Sequence, residues 1–328
     1  MRVLVTGGAG FIGSHVCERL AARGDEVVIV DSFDPFYDPS IKRRNIEDLV
    51  ASNRVELIEA DIADSGRIEE ALGATPVDAI IHLAARAGVR PSLERPMDYI
   101  RTNVEGTQSI LDLARRRGTR PFVLGSSSSV YGDSTPVPFS EAAPAVEPIS
   151  PYAATKRAAE LLCHSYAHLY GLTVACLRLF TVYGPRQRPD LAIHKFAELM
   201  TRGVEIPVFG DGTTERDYTY VGDIVQGIEG ALDWSVGAKP ALFEIVNLGE
   251  SQTTSLSRLI DLLSIELGVT PQIKRLPNQP GDVQRTFADV AKARGLLGYD
   301  PKTPMEDGIR LFVDWFRAQQ SGNARSGA

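Results

Sequence analysis

Cysteine is scarce in this sequence, whose 328 residues include only Cys17, Cys163 and Cys176. Their spacing fits neither a disulfide framework nor a zinc site, which is typical of proteins from a reducing compartment such as the cytoplasm. His164 and His168 lie four residues apart on a predicted helix, but no glutamate stands between them and no third ligand is evident. We therefore predict a cytoplasmic protein without a metal site.

Long apolar segments and basic tails are also missing from the sequence. The longest apolar runs have the length of strands, which is too short to cross a bilayer, and residues 1–5 are typical of a first strand rather than of a signal peptide. The formal net charge is −7, and arginines cluster only locally, as at residues 115–117. We therefore expect neither a membrane nor a nucleic acid as a partner.

The N-terminal residues combine a glycine-rich turn with a strand–helix–strand pattern. A short apolar strand leads to Gly7, Gly10 and Gly13, a helix over Ser14–Arg23 follows, and the next strand ends at Asp31. This pattern predicts a turn that lets the backbone approach a pyrophosphate at the helix N-terminus. An acid at position 31 can accept hydrogen bonds from the adenosine ribose and would repel a 2′-phosphate, so we predict NAD rather than NADP as cofactor.

Strand and helix patterns continue to alternate up to about residue 180. Such alternation predicts an α/β fold with a Rossmann-type doubly wound parallel sheet. After Thr181 the elements become shorter and turns more frequent, which indicates a smaller mixed α/β lobe. We predict an NAD-binding domain at 1–180 with a returning segment near 220–247, a discontinuous substrate lobe at 181–320, and a disordered tail at 321–328.

Tyr152 and Lys156 lie four residues apart near the start of a predicted helix, so both occupy one helix face. A phenol has an ordinary pKa of about 10, and a neighbouring cation favours the phenolate that a general base requires. Four consecutive serines at positions 126–129 follow an earlier strand and can donate a hydrogen bond to a substrate oxygen. We predict proton abstraction from an alcohol, with the register of the serines left open.

The glycine fingerprint and the Tyr-x-x-x-Lys pair together resemble the extended short-chain dehydrogenase/reductase family, over almost the whole chain. Further segments resemble the nucleotide-sugar 4-epimerases, and UDP-glucuronate 4-epimerases most closely. These segments are DSFDPFYDP at 31–39, AARAGVR at 84–90, TVYGPRQRPD at 181–190 and RDYTY at 216–220.

The resemblance implies catalytic and cofactor roles for residues of the first 180 positions. Tyr152 would be the base, Lys156 its activator and a ligand of the nicotinamide ribose, Ser127 the hydroxyl partner, and Ser128 a second catalytic candidate. The residues implied to bind NAD are these two and Gly7, Gly10, Phe11, Ile12, Gly13, Asp31, Ser32, Asp61, Ile62, Leu83, Ala84, Ala85, Asn103, Ser126 and Phe180.

The resemblance also implies a set of contacts to a UDP-sugar. Val208 and Phe209 would face the uracil, Arg216 and Arg285 the diphosphate, and Asp282 the nucleotide ribose. For a sugar carboxylate the predicted contacts are Thr181 and Arg186, with Arg90 and the cluster Ser127, Ser128 and Ser129 as further candidates and Arg188 as a structural residue.

The implied reaction is epimerisation at C4 of UDP-glucuronate through a 4-keto intermediate, by a homodimer that pairs helices over about 97–117 and 152–170. A UDP-glucose/galactose 4-epimerase and a UDP-glucuronate decarboxylase share the first step and stay open as alternatives. A 4,6-dehydratase is disfavoured because the serine run contains no acid. A non-catalytic NAD-binding sensor is an alternative of a different class. The presence of Tyr152 and Lys156 argues against it, because a sensor needs no activated base.

Overall fold

The computed structural model describes residues 1–277 and 283–326. The strands within these residues are β1 (Arg2–Thr6), β2 (Glu26–Asp31), β3 (Val55–Glu59), β4 (Ala79–His82), β5 (Pro121–Ser127), β6 (Thr173–Leu179), β7 (Thr181–Tyr183), β8 (Ile206–Phe209), β9 (Glu215–Arg216), β10 (Tyr218–Tyr220), β11 (Phe243–Leu248), β12 (Thr254–Ser255) and β13 (Ile273–Leu276). The helices are α1 (Phe11–Arg23), α2 (Pro39–Ala51), α3 (Ser65–Leu72), α4 (Val89–Glu94), α5 (Pro96–Tyr99), α6 (Gly106–Arg117), α7 (Pro151–Tyr170), α8 (Ala192–Thr201), α9 (Val221–Gly237), α10 (Leu256–Leu267), α11 (Ala291–Leu297) and α12 (Met305–Ser326).

Seven of the strands form one parallel sheet in the order β11-β6-β5-β4-β1-β2-β3. Because side chains alternate along each strand, Val3 and Val5 face one core while Leu4 faces the other. Helices α1, α2 and α9 cover the first face, and α3, α6 and α7 cover the second. This double covering explains why the strands are almost continuously apolar, and it confirms the predicted fold class.

The order of the strands reverses beside β1, which lies between β2 and β4 although β4 follows β3 in the chain. The two connections that leave the carboxyl ends of β1 and β4 therefore pass to opposite sides of the sheet. Such a switch point opens a crevice at the carboxyl ends of the strands, where open α/β sheets bind their ligands. The glycine turn at residues 7–13 borders this crevice.

A third apolar core lies in the C-terminal part of the chain, between α8, α10, α12 and the parallel pair β8–β13. The strand β11 belongs to the seven-stranded sheet, so the chain returns to the main sheet after residue 242. Helix α12 includes residues 321–326 of the segment for which the sequence predicts disorder. Of the described helices, none is both long and apolar enough to cross a membrane.

The prediction of one long helix over about 97–117 is wrong in detail. Pro96 begins the short helix α5, a π-helical segment occupies Ile100–Glu105, and α6 begins only at Gly106. Gly106 is packed against the side chain of Ile62, where a Cβ would lie 2.5 Å from Cδ1. The wider turn directs Asn103 inward, and π-helical insertions of this kind are frequent near functional sites.

A buried ion pair joins α7 to β6 behind the serine run. Glu160 is 0% exposed and Arg178 is 1% exposed, and two hydrogen bonds of 2.9 Å connect the guanidinium to the two carboxylate oxygens. Burial works to raise the pKa of Glu160, but the hydrogen bonds from Arg178 and Ser126 hold it below its ordinary value. The pair is therefore charged and depends on both partners.

We expect the substitution Arg178→Met to destabilise the protein by about 3–5 kcal/mol, because it leaves the Glu160 carboxylate buried without its cation. Arg258→Met is the matched control, since Arg258 pairs with Glu306 and both side chains are about half exposed. Its effect should stay below about 1 kcal/mol. Chemical unfolding measures both values, and equal losses would contradict the role of burial.

Candidate active site

The glycine turn is built by two close backbone contacts. Gly7 adopts φ +69°, and its N–H donates to the carbonyl of Val30 at 2.7 Å. A Cβ at Gly7 would lie 2.7 Å from the amide nitrogen of Ala84, and a Cβ at Gly13 would lie 2.1 Å from the Gly7 carbonyl oxygen. Only glycine fits these positions, and no side chain caps the N-terminus of α1, so the helix amides there can bind an anion.

Asp31 at the end of β2 is tied to the same turn. Its carboxylate accepts hydrogen bonds from the amides of Phe33 at 2.9 Å and Ala9 at 3.3 Å, and it pairs with the Lys42 ammonium at 3.1 Å. The side chain is buried but lines the cavity that follows the turn. The contact of Asp31 to a ribose stays a prediction, and the partnership with Lys42 of α2 was not predicted from the sequence.

A cavity of about 540 Å³ runs from the glycine turn along the carboxyl ends of the strands. Most residues predicted to bind the cofactor line this one cavity. They are Gly7, Gly10, Phe11, Ile12, Gly13, Asp31, Ser32, Asp61, Ile62, Leu83, Ala84, Ala85, Ser126, Tyr152, Lys156 and Phe180. Ser127, Thr181 and Arg216 line it as well, so the dinucleotide cradle and the candidate catalytic residues share one space.

Helix α7 places Tyr152 and Lys156 in this cavity. Ser150 caps the helix by accepting from the amide of Ala153 at 3.2 Å, and Pro151 occupies its first turn. Burial holds the pKa of Tyr152 above its ordinary value, and the hydrogen bond with Ser127 and the positive charge of Arg188 offset only part of this effect. The phenol is therefore held beside a hydroxyl and near a cation, as a general base requires.

The Lys156 ammonium donates to the carbonyl oxygen of Gly125 at 2.7 Å. Burial lowers its pKa to about 8, while the carboxylate of Glu160 works to raise it. The sequence predicts that Lys156 activates Tyr152; in this structure its ammonium is instead hydrogen-bonded to β5. Lys156 thereby joins the catalytic helix to the strand that carries the serines.

The structure distinguishes the four serines from one another. Ser126 is buried, and its hydroxyl donates to Glu160 at 2.6 Å. Ser127 is hydrogen-bonded with Tyr152, and its hydroxyl also contacts that of Ser129 at 3.2 Å. Ser128 and Ser129 begin a short 3₁₀ turn, and neither lines the cavity. Ser127 is thus the serine that faces the candidate base, and it is the one that the family resemblance implies.

Asn103 supports the cavity without lining it. It lies in a buried chain of hydrogen bonds in which Thr6 contacts His82 at 2.7 Å, His82 contacts Thr107 at 3.1 Å, and Thr107 donates to the Asn103 carbonyl at 2.6 Å. The Asn103 amide then donates to Thr155 at 3.0 Å. Burial lowers the pKa of His82 to about 3, so the histidine is a neutral link between β1 and the catalytic helix.

The two arginines after β7 lie in different places. Arg186, which was predicted to contact a sugar carboxylate, donates to Glu18 and Ser14 of α1 and does not line the cavity. Arg188, which was interpreted as structural, does line it and pairs with Asp190 through two hydrogen bonds of 2.9 and 2.6 Å. The left-handed φ of +64° at Arg186 turns the chain between them, and nothing in their spacing reveals this.

Most residues predicted to contact the uracil and the diphosphate do not line the cavity, namely Val208, Phe209 and Arg285. The guanidinium of Arg90 covers the ring of Phe209 at 4.4 Å, and Val208 is buried in β8. Arg216 lines the cavity, and Arg285 pairs with Glu215 at 2.9 Å on the neighbouring strand segment. Asp282 lies outside the described residues. These roles remain predictions.

We expect Gly13→Ala to weaken NAD binding at least about tenfold, because its methyl group would clash with the Gly7 carbonyl and widen the turn. Gly295→Ala is the control, since a Cβ there meets no atom within 4 Å. Calorimetric titration of cofactor-free protein measures the binding, and a thermal melt checks that the variant is folded. Unchanged NAD affinity in a folded Gly13→Ala protein would contradict the assignment of the turn.

Comparisons with known proteins agree with this geometry. The family model of the NAD dependent epimerase/dehydratase family matches residues 3–249. A probable UDP-glucuronate 4-epimerase of Rhizobium meliloti is 39% identical and covers 96% of this chain and 97% of its own. The structure of UDP-glucuronic acid 4-epimerase from Bacillus cereus in complex with UDP-glucuronic acid and NAD has a TM-score of 0.89 at 35% identity, covering 97% and 100% of the two chains.

UDP-glucose 4-epimerase from Thermotoga maritima with UDP-glucose is similarly close, with a TM-score of 0.88 at 33% identity and coverage of 98% and 100%. These similarities extend over the whole fold, including the glycine turn, the catalytic helix and the C-terminal lobe. They confirm the resemblance to nucleotide-sugar 4-epimerases that the sequence motifs indicate. The chain belongs to the NAD dependent epimerase/dehydratase family.

Proposed function

We propose that this protein is an NAD-dependent 4-epimerase that interconverts UDP-glucuronate and UDP-galacturonate. The observation that carries the proposal is the pairing of Tyr152 with Ser127 inside one cavity, between a dinucleotide cradle and the charged side chain of Arg188. Relatives of nearly equal length named as UDP-glucuronate 4-epimerases support the choice of substrate.

The cavity fits NAD at its glycine-rich end. The turn at Gly7 and Gly13 leaves no space for side chains where a pyrophosphate would rest, and Asp31 faces the place of the adenosine ribose. Lys156, at the far end of this stretch, would donate to the nicotinamide ribose. NAD supplies the group that takes a hydride from C4 of the sugar and later returns it.

Tyr152 moves the proton that accompanies this hydride. Its phenolate removes the proton of the 4-hydroxyl, while the Ser127 hydroxyl donates a hydrogen bond to the same oxygen. A 4-keto sugar results, turns within the cavity, and receives the hydride on its other face as Tyr152 returns the proton. The cycle has no net oxidation, so the enzyme needs no second redox substrate.

A substrate with a carboxylate at C6 requires a site that prevents decarboxylation. The 4-keto intermediate of UDP-glucuronate is a β-keto acid, which loses CO₂ when the C5–C6 bond aligns with the carbonyl π system. A cation that holds the carboxylate can prevent this alignment. We assign this contact to Arg188 together with Thr181, because both line the cavity next to Tyr152. Arg186 is already bound to Glu18.

A UDP-glucose 4-epimerase is the second candidate, favoured by the similarity to the Thermotoga maritima structure. The two candidates share the catalytic pair and differ in the group at C6. A half-buried, cavity-lining guanidinium is unnecessary for a neutral hydroxymethyl group. Arg188 therefore favours the acidic sugar.

The purified protein, incubated without added NAD, should convert UDP-glucuronate to UDP-galacturonate and leave UDP-glucose essentially unchanged. Nucleotide-sugar chromatography with mass detection measures both reactions. UDP-galactose at a comparable rate would favour the second candidate, and release of CO₂ with a UDP-pentose would indicate a decarboxylase.

Tyr152→Phe, which keeps the ring but loses the acidic proton, should reduce turnover by a factor of about 10² or more and retain bound NAD.

We further propose a cytoplasmic homodimer. The three cysteines are buried and unpaired, as expected in a reducing compartment. Apolar side chains are exposed where α6 and its preceding segment pack beside α7, namely Met97 at 69%, Leu161 at 54% and Ile100 at 45%. A second copy of this face would cover them, in agreement with the helices predicted to pair.

The double substitution Met97→Glu, Leu161→Glu should convert a dimer into a monomer of 35.7 kDa, because it places charges into an apolar contact. Ile265→Glu is the control, since Ile265 is equally exposed on the remote helix α10. Light scattering coupled to size-exclusion chromatography measures the mass. A dimer that persists in the double variant would place the interface elsewhere.

A further inference from the structure

The segment between β2 and α2 has no role in the mechanism described so far, although it belongs to the motif at residues 31–39. Two of its side chains, Phe36 and Tyr37, line the active-site cavity. Both rings lie near one guanidinium, whose central carbon is 5.2 Å from the Phe36 centroid and 5.9 Å from the Tyr37 centroid. That guanidinium belongs to Arg188, and we call the two rings the aromatic seat.

The aromatic seat holds Arg188 in a defined orientation. Asp190 accepts from Nε and Nη2 of the guanidinium in a bidentate arrangement, and the rings lie within the range of cation–π attraction. Within the described residues, no acceptor is found for Nη1 of Arg188. A planar guanidinium fixed at one edge and contacted by aromatic rings can present its free edge in only a narrow range of directions.

The charges around the seat are balanced by separate carboxylates. Arg86 lies 5.5 Å from the same Phe36 ring and pairs with Asp34 at 2.9 Å, and Lys42 lies 5.5 Å from the Tyr37 ring and pairs with Asp31. The cations beside Arg188 thus have their own partners. The free edge of Arg188 remains as the uncommitted donor near the candidate base, whose pKa it lowers.

We propose that Phe36 and Tyr37 are positioning residues that direct the free edge of Arg188 toward the C6 carboxylate, and that they thereby set the preference for an acidic sugar. The proposal rests on the function proposed above. It assigns a specificity role to two aromatic residues of the cofactor-binding half, which act through an arginine contributed from beyond β7.

Binding measured without turnover tests the proposal directly. In the Tyr152→Phe background, Phe36→Leu with Tyr37→Leu should weaken the affinity for UDP-glucuronate about tenfold and leave that for UDP-glucose within a factor of two. The conservative pair Phe36→Tyr with Tyr37→Phe keeps both rings and should restore the affinity. Tyr170→Leu is the control, because this ring contacts Arg115 at 5.2 Å on a remote surface. NAD content is determined for each variant by absorbance.

The products of the variants with Tyr152 intact give a second readout. When the carboxylate is no longer held, the C5–C6 bond of the 4-keto sugar can break, its electron pair enters the C4–C5 enolate, CO₂ leaves, and C5 takes a proton. We expect the leucine pair to release at least five times more CO₂ per epimerised product than the wild type. Isotope-labelled CO₂ and UDP-sugar analysis measure this ratio.

The proposal would be overturned by equal weakening of both ligands, which indicates general damage to the site, or by unchanged discrimination and CO₂ release in the leucine pair. An affinity loss that follows a loss of NAD would equally reject it. If the wild type fails to convert UDP-glucuronate, the proposed function itself fails, whereas normal wild-type turnover with unaffected variants rejects only the role of the aromatic seat.

Discussion

The site depends on one constraint, the close approach of two backbone segments at the carboxyl end of β1. Gly13 lies so near the Gly7 carbonyl that not even a methyl group fits between them. This contact brings the N-terminus of α1 to the sheet edge, and the parallel strands deliver Asp31, Ala84 and Ser127 to the same edge. A displaced α1 would remove the anion site and shift the cavity wall against which the other residues are positioned.

Buried charge supports the catalytic centre from behind. Glu160 and Arg178 lie in the core between α7 and β6, and Glu160 also binds Ser126, the residue next to the serine that faces Tyr152. Such a pair costs desolvation and adds little net stability compared with apolar packing. Its value lies in geometry, because it fixes the relative position of the helix that carries the base and the strand that carries the hydroxyl.

The sequence predicted much of the fold and the central chemistry. The strand predicted to end at Asp31 and the helix predicted to end at Arg23 do end there, because apolar periodicity and glycine ends are local signals. The choice of Ser127 among the four serines follows from the family resemblance, since the residues themselves leave the register open. The π-helical segment at 100–105 could not be predicted from the sequence, because it depends on the packing of Gly106 against Ile62.

Long-range contacts account for what the sequence did not predict at the site. Arg186 and Arg188 are two residues apart, and only the turn of the chain decides which one enters the cavity. The partnership of Lys42 with Asp31 and the chain from Thr6 through His82 to Asn103 join residues that are distant in sequence. A pattern of residue types cannot reveal such pairs, because each partner is brought there by a different element.

The pairing of Arg186 with Glu18 has a consequence for how the protein keeps its cofactor. Glu18 lies on α1, and the neighbouring His15 contacts the Pro185 carbonyl at 2.9 Å. The segment after β7, which contains Arg188, is therefore bound to helix α1, whose N-terminus borders the dinucleotide cleft. These two contacts fix the cavity wall that a dissociating dinucleotide would have to pass. Slow dissociation suits an enzyme that reuses the same cofactor molecule in every cycle.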